Sequence, residues 1–251
     1  MSVDGAAPLA ELRAPKHPDN LRGIALMALA FFLFAAADTQ AKLLTGSFHP
    51  VQIVWTRQLG LLSGVLLLLA LKGPVILRTS HPRLQILRGM LAVLSATAFV
   101  FALKYVPLAD AVAVTFIAPF LVTIFGALLL KERVGARRFV AVAIGFTGTL
   151  IVIRPGMGAM HPAVLLVVLA ATAFALRQIV SRQLASSDRT DTTVAYTALA
   201  SVLLLTLPLP LFWSAPQTGG QVALLAGMAV TAALGELMVI KSLQIAEASA
   251  V

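Results

Sequence analysis

The chain contains no cysteine, which excludes a disulfide framework and any thiolate metal site. Charge is scarce as well. Of 251 residues, 12% are Asp, Glu, Lys or Arg and 59% are apolar, with a mean hydropathy of +0.95. Soluble domains average about 25% charged and roughly 45–50% apolar residues, so a water-facing surface cannot be assembled from this composition. Disorder is excluded too, because it requires low hydrophobicity. The only four histidines, His17, His49, His81 and His161, all fall outside the apolar runs. No His-Glu-x-x-His, Gly-x-Ser-x-Gly or Walker-type phosphate loop occurs. Catalysis is therefore disfavoured, and no metal site or cofactor is expected. The net charge of +9 does not point to nucleic acid, because the basic residues are not clustered on a soluble face.

What is present is length of apolar sequence. A bilayer core of ~30 Å is crossed by roughly 20 apolar residues in a helix. Eight runs qualify: Leu21–Leu44, Val51–Leu71, Ile86–Leu103, Ala109–Leu130, Phe139–Ile153, Ala163–Leu184, Thr192–Trp213 and Val222–Ile245. Breakers or charge clusters separate them, among them Gly73-Pro74, Pro107, Pro155-Gly156 and Pro216 to Gly220. A ninth run opens at Ala248 and stops at Val251. The first run imitates a signal peptide, with Arg22 before it and Ala35-Ala36-Ala37 within it, but it continues past Asp38 to Leu44, which favours a retained span. Thirteen basic residues fall in the tail and in the second, fourth and sixth gaps, against Lys42, Lys104 and Arg154 on the other side. The positive-inside rule then places the N-terminus in the cytoplasm of a cell with the chain in its inner (plasma) membrane. Gly73 and Ser186 are expected on the same side.

Self-similarity is weak residue by residue but consistent in offset. At a spacing of 140, Phe34 meets Phe174, Asp38 meets Gln178, Val54 meets Val194, and Lys42-Leu43-Leu44 meets Arg182-Gln183-Leu184. One offset thus aligns the first three runs with the sixth, seventh and eighth. A first copy of five runs is odd in number, so the second copy enters from the opposite side, as in inverted-repeat secondary transporters. The offset carries Arg154 beyond Val251, so the chain is expected to be a fragment or truncated product of a ten-helix protein. The domain reading is a cytoplasmic tail at 1–20, a first five-helix repeat at 21–155 and an incomplete three-helix second repeat at 156–251.

With these residues in view, the chain resembles the EamA-type transporters of the drug/metabolite transporter superfamily. In the first copy the resemblance rests on the Asp38–Lys42 spacing and on Arg57 within the second run. It continues through Ala102-Leu103-Lys104-Tyr105-Val106-Pro107-Leu108-Ala109-Asp110-Ala111, Ala118-Pro119 and Lys131-Glu132-Arg133. In the second copy it rests on Leu243-Gln244-Ile245-Ala246-Glu247-Ala248-Ser249-Ala250-Val251. The resemblance implies an all-α polytopic fold of ten helices in two inverted five-helix repeats, eight of them complete here plus the start of a ninth. It also implies small organic solutes moved by alternating access, with a proton gradient as one candidate driving force. A non-transporting helical scaffold is the alternative, an intramembrane enzyme a weaker one. A channel is disfavoured because no filter motif appears.

Ionisable residues inside spans cost ~2.5–3.5 kcal/mol on insertion scales and are functional candidates by default. Asp38 and Arg57 lie at matching depth, roughly 10 Å from one edge, which allows either an ion pair or a shared ligand contact. Arg177 and Glu236 also match in depth and are expected to form a second pair. Such pairs either lock helices together or line a solute path, where an arginine attracts an anionic group and a carboxylate takes a proton or a cation. Gln40, Gln178, Thr193 and Tyr196 are polar candidates for solute contacts; Trp55 suits an interfacial anchor better than a binding residue. Gly60-Leu61-Leu62-Ser63-Gly64 suits close packing inside the bundle, with a homodimer face as its alternative use. Pro119, mid-span, removes a backbone donor and predicts a kink or hinge.

Overall fold

The computed structural model describes residues 20–131, 136–153, 161–185 and 187–245. The tail, Glu132, Arg133, Arg154 and the expected ninth run lie outside the described residues, as do the side chains of Arg137 and Arg138. The described residues form helices only: α1 (Asn20–Leu44), α2 (Pro50–Lys72), α3 (Pro82–Leu103), α4 (Leu108–Thr115), α5 (Ala118–Leu129), α6 (Ala136–Ile153), α7 (Val164–Leu184), α8 (Thr190–Thr206), α9 (Leu209–Phe212) and α10 (Gly219–Ile245), with a short 3₁₀ turn at Pro74–Leu77. Among the described residues, six stretches are long and apolar enough to cross a membrane: α1, α2, α3, Leu108–Leu129, α7 and Gly219–Val239 of α10. The chain is a multi-pass membrane protein.

Helix ends follow local chemistry. Pro50 and Pro82 occupy the first turns of α2 and α3, where a missing N–H costs nothing. Gly73 closes α2 with φ 72°, a left-handed cap open to glycine, and donates to the Leu69 carbonyl at 2.8 Å. Lys42 reaches from α1 to the Leu103 and Val106 carbonyls and so caps α3 with a cation.

Two expected spans are interrupted. The fourth divides at Phe116-Ile117, where α4 ends in 3₁₀-type bonds and Pro119 sits in the first turn of α5. The kink expected at Pro119 is thus a full break, two residues upstream. The seventh, read as one helix from Thr192 to Trp213, stops at Thr206 because Leu207-Pro208 breaks it before the one-turn α9. Pro208 supplies no donor to continue the ladder.

The packing is inverted relative to a soluble protein. Large side chains such as Leu21, Phe31, Phe32, Leu66, Leu67 and Leu128 face outward, while Ala30, Ala37 and Ala41 of α1 and Ala170, Ala171, Ala173 and Ala175 of α7 are buried. Small residues let backbones approach closely, the usual basis of helix association in lipid. Two approaches are tightest. A Cβ on Gly60 of α2 would lie 2.0 Å from the Ala229 carbonyl oxygen of α10, and one on Gly89 of α3 would lie 2.6 Å from the Ala200 Cβ of α8. More widely, α1 packs on α10 as α3 packs on α7, and α2 packs on α10 as α3 packs on α8.

Two ends of the bundle are defined by loops. At one, the 3₁₀ segment after α2 meets the α7–α8 loop: Thr79, the Ser80 amide and Gln85 all donate to the Asp188 carboxylate. At the other, the start of α2 meets the α9–α10 loop: Gln52 donates to the Ser214 carbonyl at 2.8 Å and accepts from its amide at 2.9 Å.

Candidate functional site: a charged column between the helices

Among the described residues, five charged side chains lie inside the bundle well away from its two ends, where Lys42 and Asp191 sit: Asp38, Arg57, Arg88, Arg177 and Glu236. Arg57 donates to Asp38 at 2.8 Å, each side chain being about one-fifth exposed (22% and 23%). From helix position, this pair sits roughly 10 Å from the α1–α2 end. Arg177 on α7 and Arg88 on α3 each lie about 10 Å from the opposite end, with Glu236 of α10 within electrostatic range of both. Arg57 is in turn within range of Arg177. The charges therefore form two tiers that face each other across the bundle's middle.

The expected second pair does not close. No ion pair within 4.0 Å joins Arg177 to Glu236 among the described residues. Instead the Arg177 guanidinium lies over the Phe174 ring, 4.9 Å from its centroid, and its Nε is buried without a hydrogen-bond partner. Equal depth along two helices does not make two side chains converge; α7 packs chiefly on α3, and α10 on α1 and α2.

Of the thirteen basic residues that charge alone assigns to the tail and gaps, Arg88 belongs with the spans. It is on the second turn of α3, half-buried, donating to Ser181 Oγ at 2.7 Å, to the Thr193 carbonyl at 3.4 Å and to Thr197 Oγ1. Pro82 is the signal that would have placed it on the helix, since proline favours the first helical turn. Gln85, one turn earlier and fully buried, was also missed; it donates to Asp188 at 2.7 Å and Thr193 at 3.3 Å.

The polar candidates separate into groups. Tyr196 donates to the Leu77 carbonyl at 3.2 Å, and Thr193 accepts from Gln85. Both therefore belong to the tie near Asp188. Trp55 donates to Thr206 Oγ1 at 2.9 Å and meets Trp213 edge-on at 6.1 Å, which joins it to the opposite tie. Gln40 has a buried Oε1 without a partner and lies against Gly227, where an added Cβ would push the Gln40 amide aside. Gln178 is half-buried on α7. Gly60 of the GxxxG pair is the close approach to Ala229, whereas Gly64 faces open space.

The two ties differ in chemistry. Burial alone would raise the Asp188 pKa, but hydrogen bonds from Thr79, Gln85 and the Ser80 amide, with His81 nearby, hold it below the ordinary carboxylate value. Lys72 reinforces this end through Asp191 at 2.7 Å. At the other end His49 stacks on Phe212 at 4.0 Å and meets Phe101 edge-on at 5.2 Å. Desolvation, with Lys104 nearby, lowers its pKa.

Residues 21–154 match the EamA-like transporter family. The S-adenosylmethionine uptake transporter of Rickettsia felis is 26% identical over 232 residues, covering 92% of this chain and 78% of its own length. A riboflavin transporter of Vibrio cholerae is 34% identical over 177 residues, 69% of this chain and 58% of its own. The pseudopaline exporter of Pseudomonas aeruginosa is 28% identical over 225 residues, covering 88% and 78%. A solved crystal structure shares the fold, with a TM-score of 0.63 at 21% identity over 88% of this chain and 77% of the other. A multi-pass helical chain with charge held between its helices, matched by this profile over more than half its length, belongs to the EamA-like transporter family.

Proposed function

We propose that the chain is a secondary carrier of small organic solutes that works by alternating access between two inverted repeats, with the charged column as its solute path. The observation that carries the reading is the column itself. Asp38, Arg57 and Arg88 come from the first half, Arg177 and Glu236 from the second, so both halves supply charge to one interior. A charge in a span is expensive unless it works. The relatives' names include both uptake and export; membership therefore sets the class of protein rather than the direction of transport.

The repeat reading has its own support. At the offset of 140, Gly60 corresponds to Ala200 and Gly89 to Ala229. The two tightest contacts, Gly60 on Ala229 and Gly89 on Ala200, are therefore exchanged by the same operation. So are the pairings of α1 with α10 and α3 with α7. Residues 21–155 form the first repeat and 156–251 belong to the second. The break at Pro119 is a hinge candidate within the first.

The reading keeps eight crossings, and the two ends support the seventh of them. The α8 stretch starts at the Asp188 end and leads through α9 to Ser214 at the other, so its 17 residues, about 25 Å of helix, cross most of the bundle. The basic excess puts the Asp188 end and the N-terminus in the cytoplasm, with the chain in the inner membrane. The tie around Asp188 and the tie around Gln52 each join one repeat to the other. They act as the inner and outer gates, opened in turn. The proton remains a candidate coupling ion, with Asp38 and Glu236 as its carriers.

The test is transport by the protein in proteoliposomes. Arg57→Ala and Glu236→Gln are each expected to abolish solute movement while the protein stays inserted. Normal transport by both variants returns the column to a structural role.

A further inference from the structure

The two tiers of the column are not equivalent in charge. In the first, one guanidinium and one carboxylate are in contact: Arg57 and Asp38 at 2.8 Å. In the second, two guanidiniums share the range of one carboxylate, Glu236, and neither touches it. Every partner of Arg88 is neutral: Ser181, Thr197 and the Thr193 carbonyl. Among the described residues, Arg177 has the Phe174 ring under its guanidinium and a buried Nε without an acceptor. Three positive and two negative groups leave one positive charge in excess, and Arg177 is the guanidinium of this tier that has neither an ion pair nor a hydrogen bond among the described residues. Buried charges are normally paired and hydrogen-bonded, so the arrangement is incomplete as it stands.

Resting on the carrier reading above, we infer that Arg177 is the anion handle of the solute site and that the transported solute bears a carboxylate. The guanidinium fork matches a carboxylate with two parallel hydrogen bonds. A carboxylate also matches the charge: it brings one negative charge against an excess of one. A phosphate monoester brings about −1.5 to −2 at neutral pH and would leave the column net negative beside Glu236. Arg88, already held by three neutral groups on α7 and α8, serves as a positioning residue that keeps positive potential at this tier. Asp38 and Glu236 above and beside the handle disfavour a second anionic group on the same solute.

The experiment uses the purified chain in nanodiscs and four small probes: acetate, acetamide, methyl phosphate and chloride, at matched ionic strength. Acetate is expected to raise the melting temperature by about 2–4 °C at saturating concentration, while isosteric acetamide and chloride leave it unchanged. Arg177→Gln should lose the acetate response without lowering the melting temperature of the unliganded protein, because it removes an unpaired charge. Arg177→Lys should keep part of the response, and Arg78→Gln, at the exposed end of the 3₁₀ turn, all of it. A response to acetamide equal to that of acetate, a larger one to methyl phosphate, or an acetate response surviving in Arg177→Gln overturns the inference. A parallel arm exposes proteoliposomes to a cell-metabolite extract and identifies by mass spectrometry what accumulates. Enrichment of carboxylates alone supports the handle. Accumulation of neutral or cationic solutes alone overturns the solute class and leaves the carrier reading standing. No accumulation at all counts against the carrier reading, and the acetate arm then decides the handle by itself.

Discussion

Asp38 and Arg57 are nineteen positions apart on adjacent helices and in contact at 2.8 Å. Removing one partner leaves the other unsatisfied, so Asp38→Asn and Arg57→Gln are each expected to cost about 1–3 kcal/mol, read as a lower melting temperature. The double variant Asp38→Asn/Arg57→Gln should recover much of that stability, since neither charge is then orphaned, yet still fail to transport. Recovery of transport in the double variant would make the pair a structural clamp only. His49 gives the pH dependence. Its pKa is lowered from the ordinary 6.5 by burial and by Lys104, so the folded chain keeps it neutral where the unfolded chain protonates. Its contribution is complete above about pH 6.5 and declines as pH falls below that value. His49 Nδ1 also accepts from the Val51 amide at 3.4 Å, an acceptor that protonation removes. His49→Asn keeps a capping acceptor and should flatten the acid limb of a melting-temperature profile between pH 7 and 5; an unchanged slope assigns that limb to another group. At this scale the sequence was most legible where chemistry contrasted with its surroundings. Asp38, Arg57, Arg177 and Glu236 stood out in apolar runs. Arg88 did not, because Arg78 and Arg83 nearby made it look like the flank of a span.

At the scale of elements, apolar run length locates the helices well but says little about interruptions inside them. Pro119 was legible as a kink because it stands alone in its run, though the helix breaks fully two residues before it. Pro208 is the same chemistry, placed near the end of a run where it resembles a terminus, and it shortens α8 to 17 residues. Contacts between elements were less legible still, since any apolar helix fits any other in composition. Here the glycines decide. Gly60 faces backbone, the Ala229 carbonyl at 2.0 Å from an added Cβ, whereas Gly89 faces a side chain, the Ala200 Cβ at 2.6 Å. Both Gly60→Ala and Gly89→Ala should therefore destabilise, by about 1–3 kcal/mol as other overpacked sites do. Their rescues differ. Ala200→Gly removes the atom that Gly89→Ala strikes, so that pair should regain near-normal thermal stability. Ala229→Gly leaves the carbonyl in place, so Gly60→Ala/Ala229→Gly should remain destabilised. Equal rescue of both pairs would mean that the α2–α10 contact is looser than its geometry.

For the whole molecule, alternating access requires that the two ties never both persist through a cycle. One end is tied through Thr79, Ser80 and Gln85 to Asp188, with Ser187 Oγ 3.2 Å from His81 Nδ1. The other is tied through Gln52 to the backbone of Ser214. Each tie crosses between residues before 155 and residues after it, so the halves cannot rock apart at either end without breaking one. The absence of cysteine makes this directly measurable, because introduced thiols have no background. His81→Cys/Ser187→Cys and Gln52→Cys/Ser214→Cys place one thiol on each side of a tie. A short bifunctional thiol reagent should arrest transport through either pair, a reductant applied to a cleavable reagent should restore it, and each single-cysteine chain should be indifferent to treatment. Solute at saturation should change the cross-linking rate of the two pairs in opposite directions, because stabilising one tie releases the other. Undiminished transport with both ends cross-linked excludes rocking of one half against the other. Arrest by only one pair points instead to a single moving gate, with the other end a fixed part of the scaffold.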